Sequence, residues 1–236
     1  MPKLEVCFTP KTYEEYRNND AIVVVTDILR ATSSICTAFI NGAEKLIPVR
    51  TVEEAKDYKR KGFTVAAERD GFVLDFADLG NSPENFTPEL VQNHTLVYST
   101  TNGTNSIMMA KEAREVLIGS YLNLKATADY LIEKGHDVLI LCAAWKNKFN
   151  LEDSVYAGAL AELLLEAEFE TICDSTKAAI DLWGTAKEDL MGYINKTAQK
   201  GRLAKNGLDG CIEYCHTFNI STIIPKLENN YLVAAN

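Results

Sequence analysis

Several common classes leave no mark on this chain. Its 236 residues contain no apolar run near the roughly 18 residues that a membrane span needs, and the opening MPKLEVCF lacks the layout of a secretory leader. A cytoplasmic protein with no membrane partner is the expectation. Basic residues are in deficit, 24 Lys and Arg against 33 Asp and Glu, for a formal charge of −9. Nucleic acids and anionic membranes need a basic footprint, so neither is expected as a partner. A small anionic substrate still fits, because the potential inside a cleft is set by its own arginines and helix starts. GxxxxGK[ST] and GxGxxG are absent, which disfavours the nucleotide folds built on them. No cysteine has an arginine six places on, and no DxD pair stands at a strand end, so cysteine and aspartyl-phosphate phosphatase designs are removed. The three histidines, His94, His136 and His216, have surroundings unsuited to a nucleophile.

None of the six cysteines forms a CxxC pair, and several lie in apolar runs, the pattern of reduced core thiols. Cys211, Cys215 and His216 cluster on a predicted helix, but a zinc site needs a fourth ligand that the sequence does not offer.

What is present reads as an α/β chain. Hydrophobic residues make up 47% and charged residues 24%, ordinary for a globular protein, and no linker or low-complexity stretch divides it. One domain over 1–236 is the expectation. The organising stretch is Ile22 to Ile35, a β-branched strand running through a polar turn into a helix start. Such a start carries unpaired N–H groups and the positive end of the helix dipole, which favour an anion. Arg30 in the same turn can clamp a phosphate or sulfonate, and Asp27 at the strand's end is a hard oxygen ligand of the kind Mg²⁺ takes. The alternative is a helix cap at Thr32 or Ser33, with Asp27 closing a turn and Arg30 solvated.

Downstream, strands are predicted at 45–49, 63–68, 95–99, 115–119 and 137–142. Helices are predicted at 33–41, 52–61, 105–111, 125–134, 151–168 and 174–197, the last broken near Gly184. A terminal hairpin turns at Asn229 and Asn230. Val25 and Val97, Thr32 and Thr104, and Ile35 and Ile107 stand 72 positions apart, and Gly62 and Gly135 stand 73 apart. Residues of about 22–70 and 95–143 therefore read as an internal repeat of strand, turn, helix, strand, helix and strand. The fold class expected is three-layer α/β/α on a largely parallel or mixed sheet. In such sheets ligands sit beyond the carboxyl ends of the strands, which lets the turns at 27–33 and 100–104 face one cleft.

The acids predicted at strand ends or helix starts are Asp27, Glu68, Asp78, Glu152 and Asp153, with Arg30, Arg69 and hydroxyl-rich turns beside them. Phosphoryl chemistry uses such a set: oxygen ligands for Mg²⁺, cationic forks and N–H groups for phosphate, and positioning for most of the catalysis. The blocks DILRATSSICTAFINGA, AAERDG, FADLGNSPENF, STTNGT and NLEDSVYAGA, in that order, resemble the 2-phosphosulfolactate phosphatase (ComB) family over nearly the whole chain. The resemblance implies a Mg²⁺-dependent acid phosphatase that converts 2-phospho-3-sulfolactate to 3-sulfolactate and phosphate in coenzyme M biosynthesis, on a three-layer α/β/α fold.

Carried over by position, the resemblance implies catalytic Asp27, Arg30, Glu68 and Asp78. It implies metal ligation by Asp27, Glu68, Asp78, Glu152 and Asp153. It implies substrate binding by Arg30, Thr32, Ser33, Arg69, Asn81 and Ser82, with Thr100, Thr101, Asn102, Gly103 and Thr104. Two departures stand out: Phe76, Ala77 and Asp78 where the family usually shows Gly-Phe-Asp, and Ala143, Ala144 and Trp145 where a small glycine-containing turn is usual. A metal-bound water, or an acidic side chain, is the expected nucleophile. A homo-oligomer is a further expectation, and a phosphatase for another small acid or a non-catalytic anion binder are the competing readings.

Overall fold

The computed structural model describes residues 1–235. Strands β1 (Leu4–Cys7), β2 (Ile22–Thr26), β3 (Lys45–Pro48), β4 (Thr64–Arg69), β5 (Phe72–Val73), β6 (Thr95–Ser99), β7 (Glu115–Gly119), β8 (Val138–Cys142), β9 (Ile224–Glu228) and β10 (Tyr231–Ala235) alternate with helices. The helices are α1 (Tyr13–Tyr16), α2 (Ala31–Ile40), α3 (Val52–Arg60), α4 (Pro88–Val91), α5 (Gly103–Met109), α6 (Leu124–Lys134), α7 (Leu151–Glu166), α8 (Asp174–Ala186), α9 (Leu190–Ile194), α10 (Ala198–Lys205) and α11 (Ile212–Cys215). The β-branched IVVVT of β2 is buried on both faces, as a central parallel strand requires. Asn229 and Asn230 both hold positive φ between β9 and β10, the signature of a tight I′ hairpin. Gly184 does not break its helix: α8 continues to Ala186, and Gly184 has nothing within 4 Å to exploit its missing side chain.

The ten strands form one mixed sheet in the order β1-β8-β2-β7-β9-β10-β3-β6-β4-β5. Two parallel groups, β1-β8-β2-β7 and β3-β6-β4, are joined by the β9–β10 hairpin, which pairs antiparallel to β7 on one side and to β3 on the other. The first strand of each sequence half inserts into the other half: β2 lies between β7 and β8, and β6 lies between β3 and β4. Neither half of the sequence therefore completes its own sheet.

One face carries a continuous apolar cluster across both groups, from Val23 and Val25 through Ile118 to Leu46, Leu96, Tyr98 and Ala66. It packs on α2 (Ile35, Ala38, Phe39) and α5 (Ile107). The other face holds two separate clusters. One lies under α6, α7 and α8 (Leu131, Leu160, Ala179), and the other under α3 (Ala55 with Val65 and Val97). Helices thus cover both faces in three layers.

In sheet order β2 and β6 are five places apart, on the order of 24 Å along a flat sheet. Yet the turns that follow them touch: a side chain on Gly103 would collide with the Ala31 Cβ and lie 3.1 Å from Asp27 Oδ2. The sheet therefore curls around α2 and α5. That curl explains why α2 is buried from Ala31 to Phe39, and it brings the two turns together.

Candidate active site

The contact of the two turns forms a cleft lined by Asp27, Leu29, Arg30, Glu68, Gly71, Asn81, Asn102, Trp145, Gln199, Arg202, Leu203 and Asn206. Asp27 follows β2, and its main chain and side chain together close the start of α2. Its carbonyl accepts from Thr32 N at 2.9 Å and its Oδ1 from Ala31 N at 3.4 Å, while its own N–H donates to Thr32 Oγ1 at 3.0 Å. The helix start read from sequence as an anion cradle is thus occupied by the protein's own carboxylate, a placement the dipole favours. Ser33 Oγ donates to Ile28 O at 3.0 Å, so Thr32 and Ser33, both buried, hold the turn rather than line the cleft.

Glu68, the penultimate residue of β4, joins the two halves. Its Oε1 accepts from Thr101 N and its Oε2 from Gly71 N, each at 2.7 Å. In the second turn, Thr100 and Thr104 lock each other. Thr104 Oγ1 accepts from Thr100 N at 3.2 Å and donates to Thr100 O at 3.1 Å, and Thr100 Oγ1 accepts from Thr104 N at 3.2 Å. Thr101 Oγ1 accepts from Asp70 N, and Asn102 Oδ1 accepts from Lys146 N at 3.1 Å at the edge of the cleft. Gly103 is required by the close approach to Ala31 described above. Asn81 lines the cleft, with its carbonyl accepting from Ser34 Oγ and its side-chain oxygen from Tyr98 OH. Ser82, next in sequence, caps a short 3₁₀ turn outside it.

Asp153 lies beneath the cleft. Its Oδ1 accepts from Ile28 N at 2.8 Å, and its Oδ2 accepts from Ala144 N at 3.1 Å and Asn150 Nδ2 at 2.8 Å. It ties the end of β2 to the end of β8. Glu152 Oε1 also accepts from Asn150 Nδ2, at 2.9 Å.

Besides Ser82, two more residues of the expected set stand outside the cleft. Asp78 is exposed, forms an ion pair with Lys59, and accepts from Val65 N at 2.9 Å. Val65 precedes Glu68 by three residues on β4, about 10 Å of strand, so Asp78 is not part of the acid cluster. Burial would raise its carboxyl, but Lys59 and the Val65 N–H carry it below the usual range. Arg69 points its fork at main chain, donating to Ser99 O and Arg50 O at 3.3 Å, to Ser99 Oγ at 3.0 Å and to Glu68 O at 2.6 Å. Membership of the AAERDG and FADLGNSPENF blocks did not carry either residue into the cleft.

Trp145, one of the departures noted in the sequence, lines the cleft from the turn after β8. Three further lining residues are not expected from sequence: Gln199, Arg202 and Asn206, from the end of the chain's helical segment and far from any motif. Arg202 and Lys205 stand in the sequence with no motif around them. The Cys211, Cys215 and His216 cluster is a set of buried side chains, with His216 Nδ1 on Ile212 O at 2.7 Å.

Electrostatically the cleft is crowded with acids. Burial, then the Asp153 carboxylate, then Glu68 and Glu152, push the Asp27 carboxyl well above its usual range, against the Ala31 N–H. Burial and Asp153 bring Glu152 up to about 7, and burial brings Asp153 up to about 6 against its three N–H donors. A divalent cation would relieve this crowding, which is one measure of fit. Among the described residues no three His, Cys, Asp or Glu side chains converge as an all-protein cage. Magnesium takes one or two carboxylates and completes its octahedron with water and phosphate oxygens, and Asp27 and Glu68 are the two carboxylates that line the cleft.

The chain is similar to known proteins over most of its length. The family model described as 2-phosphosulpholactate phosphatase matches residues 7–230. Proteins named "Probable 2-phosphosulfolactate phosphatase" align over most of their length. The one from Caldanaerobacter subterraneus subsp. tengcongensis is 37% identical, covering 93% of this chain and 95% of its own. That from Clostridium acetobutylicum is 31% identical over 98% and 100%, and that from Thermotoga maritima 34% over 89% and 90%. These names denote phosphoric monoester hydrolases. With the match running from β1 to the terminal hairpin, the chain belongs to the 2-phosphosulfolactate phosphatase family.

Proposed function

We propose that the chain is a Mg²⁺-dependent phosphatase that hydrolyses 2-phospho-3-sulfolactate to 3-sulfolactate and phosphate, a cytoplasmic step of the coenzyme M type. The observation that carries this reading is the pairing, in one cleft, of the acids Asp27 and Glu68 with Arg30 and Arg202. Bound magnesium would supply charge neutralisation on the transferring phosphoryl group. Asp27 and Glu68 would hold it, with Asp153 beneath as the residue that fixes the turn carrying Asp27.

The remaining work falls to the chain's own groups. Arg30 Nη2 is held on Gly71 O at 3.4 Å, which leaves the rest of its fork for a phosphate. Asn81 and Asn102 present amide groups to the cleft and orient the ester. Its substrate is a small phosphorylated acid, and the absence among the described residues of any helix able to cross a membrane fits such a role. A second reading, a phosphatase for another small acid, is favoured by Trp145, a large side chain lining the cleft where the family resemblance implies a small turn.

A panel of phosphate esters separates the two. Release of phosphate fastest from 2-phospho-3-sulfolactate supports the first, and preference for 2-phospholactate or another unsulfonated acid supports the second. Release from none removes both.

A further inference from the structure

The chain's departure from small residues after β8 builds a specific object. Trp145 and Lys148 exchange main-chain hydrogen bonds at 3.0 and 2.9 Å around Lys146 and Asn147, which both hold positive φ. This two-residue hairpin is the tightest way to reverse the chain and fixes where Trp145 stands. Ala144 before it also lies in the left-handed region, at φ 59°, pinned there by Asp153. The indole face meets the Arg202 guanidinium, 4.7 Å from carbon to ring centre. Arg202 Nε donates to Gln199 Oε1 at 2.7 Å, and the buried Gln199 donates to Leu29 O at 2.9 Å, next to Arg30.

Arg202 is therefore fixed through its face and its Nε, while its two terminal nitrogens have no hydrogen bond or ion pair among the described residues. That leaves a preorganised fork beside the cleft that holds Asp27 and Arg30. The other cations nearby are engaged: Lys146 pairs with Asp70 at 2.7 Å, and Arg50 Nε donates to Asn105.

We infer that Arg202 is the specificity-determining residue that grips the acid group of the substrate that is not transferred, a sulfonate or carboxylate, with Trp145 and Gln199 as its positioning residues. This rests on the phosphatase reading above. Arg30 then serves the phosphate and Arg202 the second anion, so the spacing of the two arginines selects phosphate esters that carry an acid.

The test compares kcat/KM for 2-phospho-3-sulfolactate with that for phenyl phosphate, which has no second acid. In Arg202→Ala and Arg202→Lys this ratio falls roughly 10- to 100-fold, the worth of a charge-assisted hydrogen bond. The fall is in KM more than in kcat. Trp145→Ala lowers the ratio in the same direction, and Trp145→Phe restores it by returning an aromatic face. Equal losses on both esters, or no loss on either, overturn the inference. If the wild-type protein releases phosphate from neither ester, the phosphatase reading fails, and titration calorimetry with 3-sulfolactate decides on Arg202 separately. Weaker binding by Arg202→Ala then sustains it, and unchanged or absent binding in both proteins overturns it.

Discussion

Asp27 carries opposed demands. It closes the start of α2, and it stands among Asp153, Glu68 and Glu152, which raise its carboxyl. Asp27→Asn is expected to lower phosphate turnover by roughly 10²-fold or more, in line with loss of one electrostatic contact in a closed site. The same substitution removes a crowded charge, so its melting temperature in magnesium-free buffer at neutral pH is expected to equal or exceed that of the wild type. A drop of several degrees would contradict the crowding.

The pH dependence has a definite sign. Glu152 and Asp153, raised to about 7 and about 6, bind protons more tightly folded than unfolded. Stability is therefore full below the unfolded carboxyl range and declines as pH rises through those values. Thermal melts without magnesium between pH 4.5 and 8 should show that decline, and Glu152→Gln should flatten it. Asp78 differs: its partners are Lys59 and the Val65 N–H, so Asp78→Asn should leave KM and turnover within a few-fold. A hundredfold loss would restore it to the site.

At the scale of elements, the two turns meet because one position lacks a side chain. Gly103→Ala places a methyl against Ala31 and beside Asp27 Oδ2. Such overpacking costs about 1–3 kcal/mol, read as a lower denaturation midpoint, and activity should fall with it. Wild-type stability in Gly103→Ala would mean that the turns are not in contact.

Element positions were largely legible because local patterning sets them: β6 and β7 end where their continuous apolar runs end, and the Asn229–Asn230 turn follows from residues that tolerate positive φ. Asp27, Arg30 and Glu68 were legible for a related reason, since each closes a strand or opens a helix near its own motif. What local pattern does not encode is which groups the curl of the sheet brings together. Arg202, Gln199 and Trp145 reach the cleft through tertiary packing, and Asp78 misses it through a three-residue offset along β4. Nor could the sequence decide between an open phosphate cradle at the helix start and Asp27 closing it; the structure has Asp27 closing it.

At the scale of the molecule, each half of the sequence gives a strand to the other, β2 between β7 and β8 and β6 between β3 and β4, and the β9–β10 hairpin joins the groups. The cleft is built from both halves: Asp27 and Glu68 from the first, Asn102 from the second, and Arg202 from the helices that follow. The most direct test of this assembly is phosphate release from 2-phospho-3-sulfolactate by the wild type and Asp27→Asn, each with magnesium and with EDTA. Rapid release by the wild type with magnesium alone, and near-background release in the other three conditions, is the expected result. Equal release with EDTA, or undiminished release by Asp27→Asn, would contradict a magnesium-assisted phosphatase centred on Asp27.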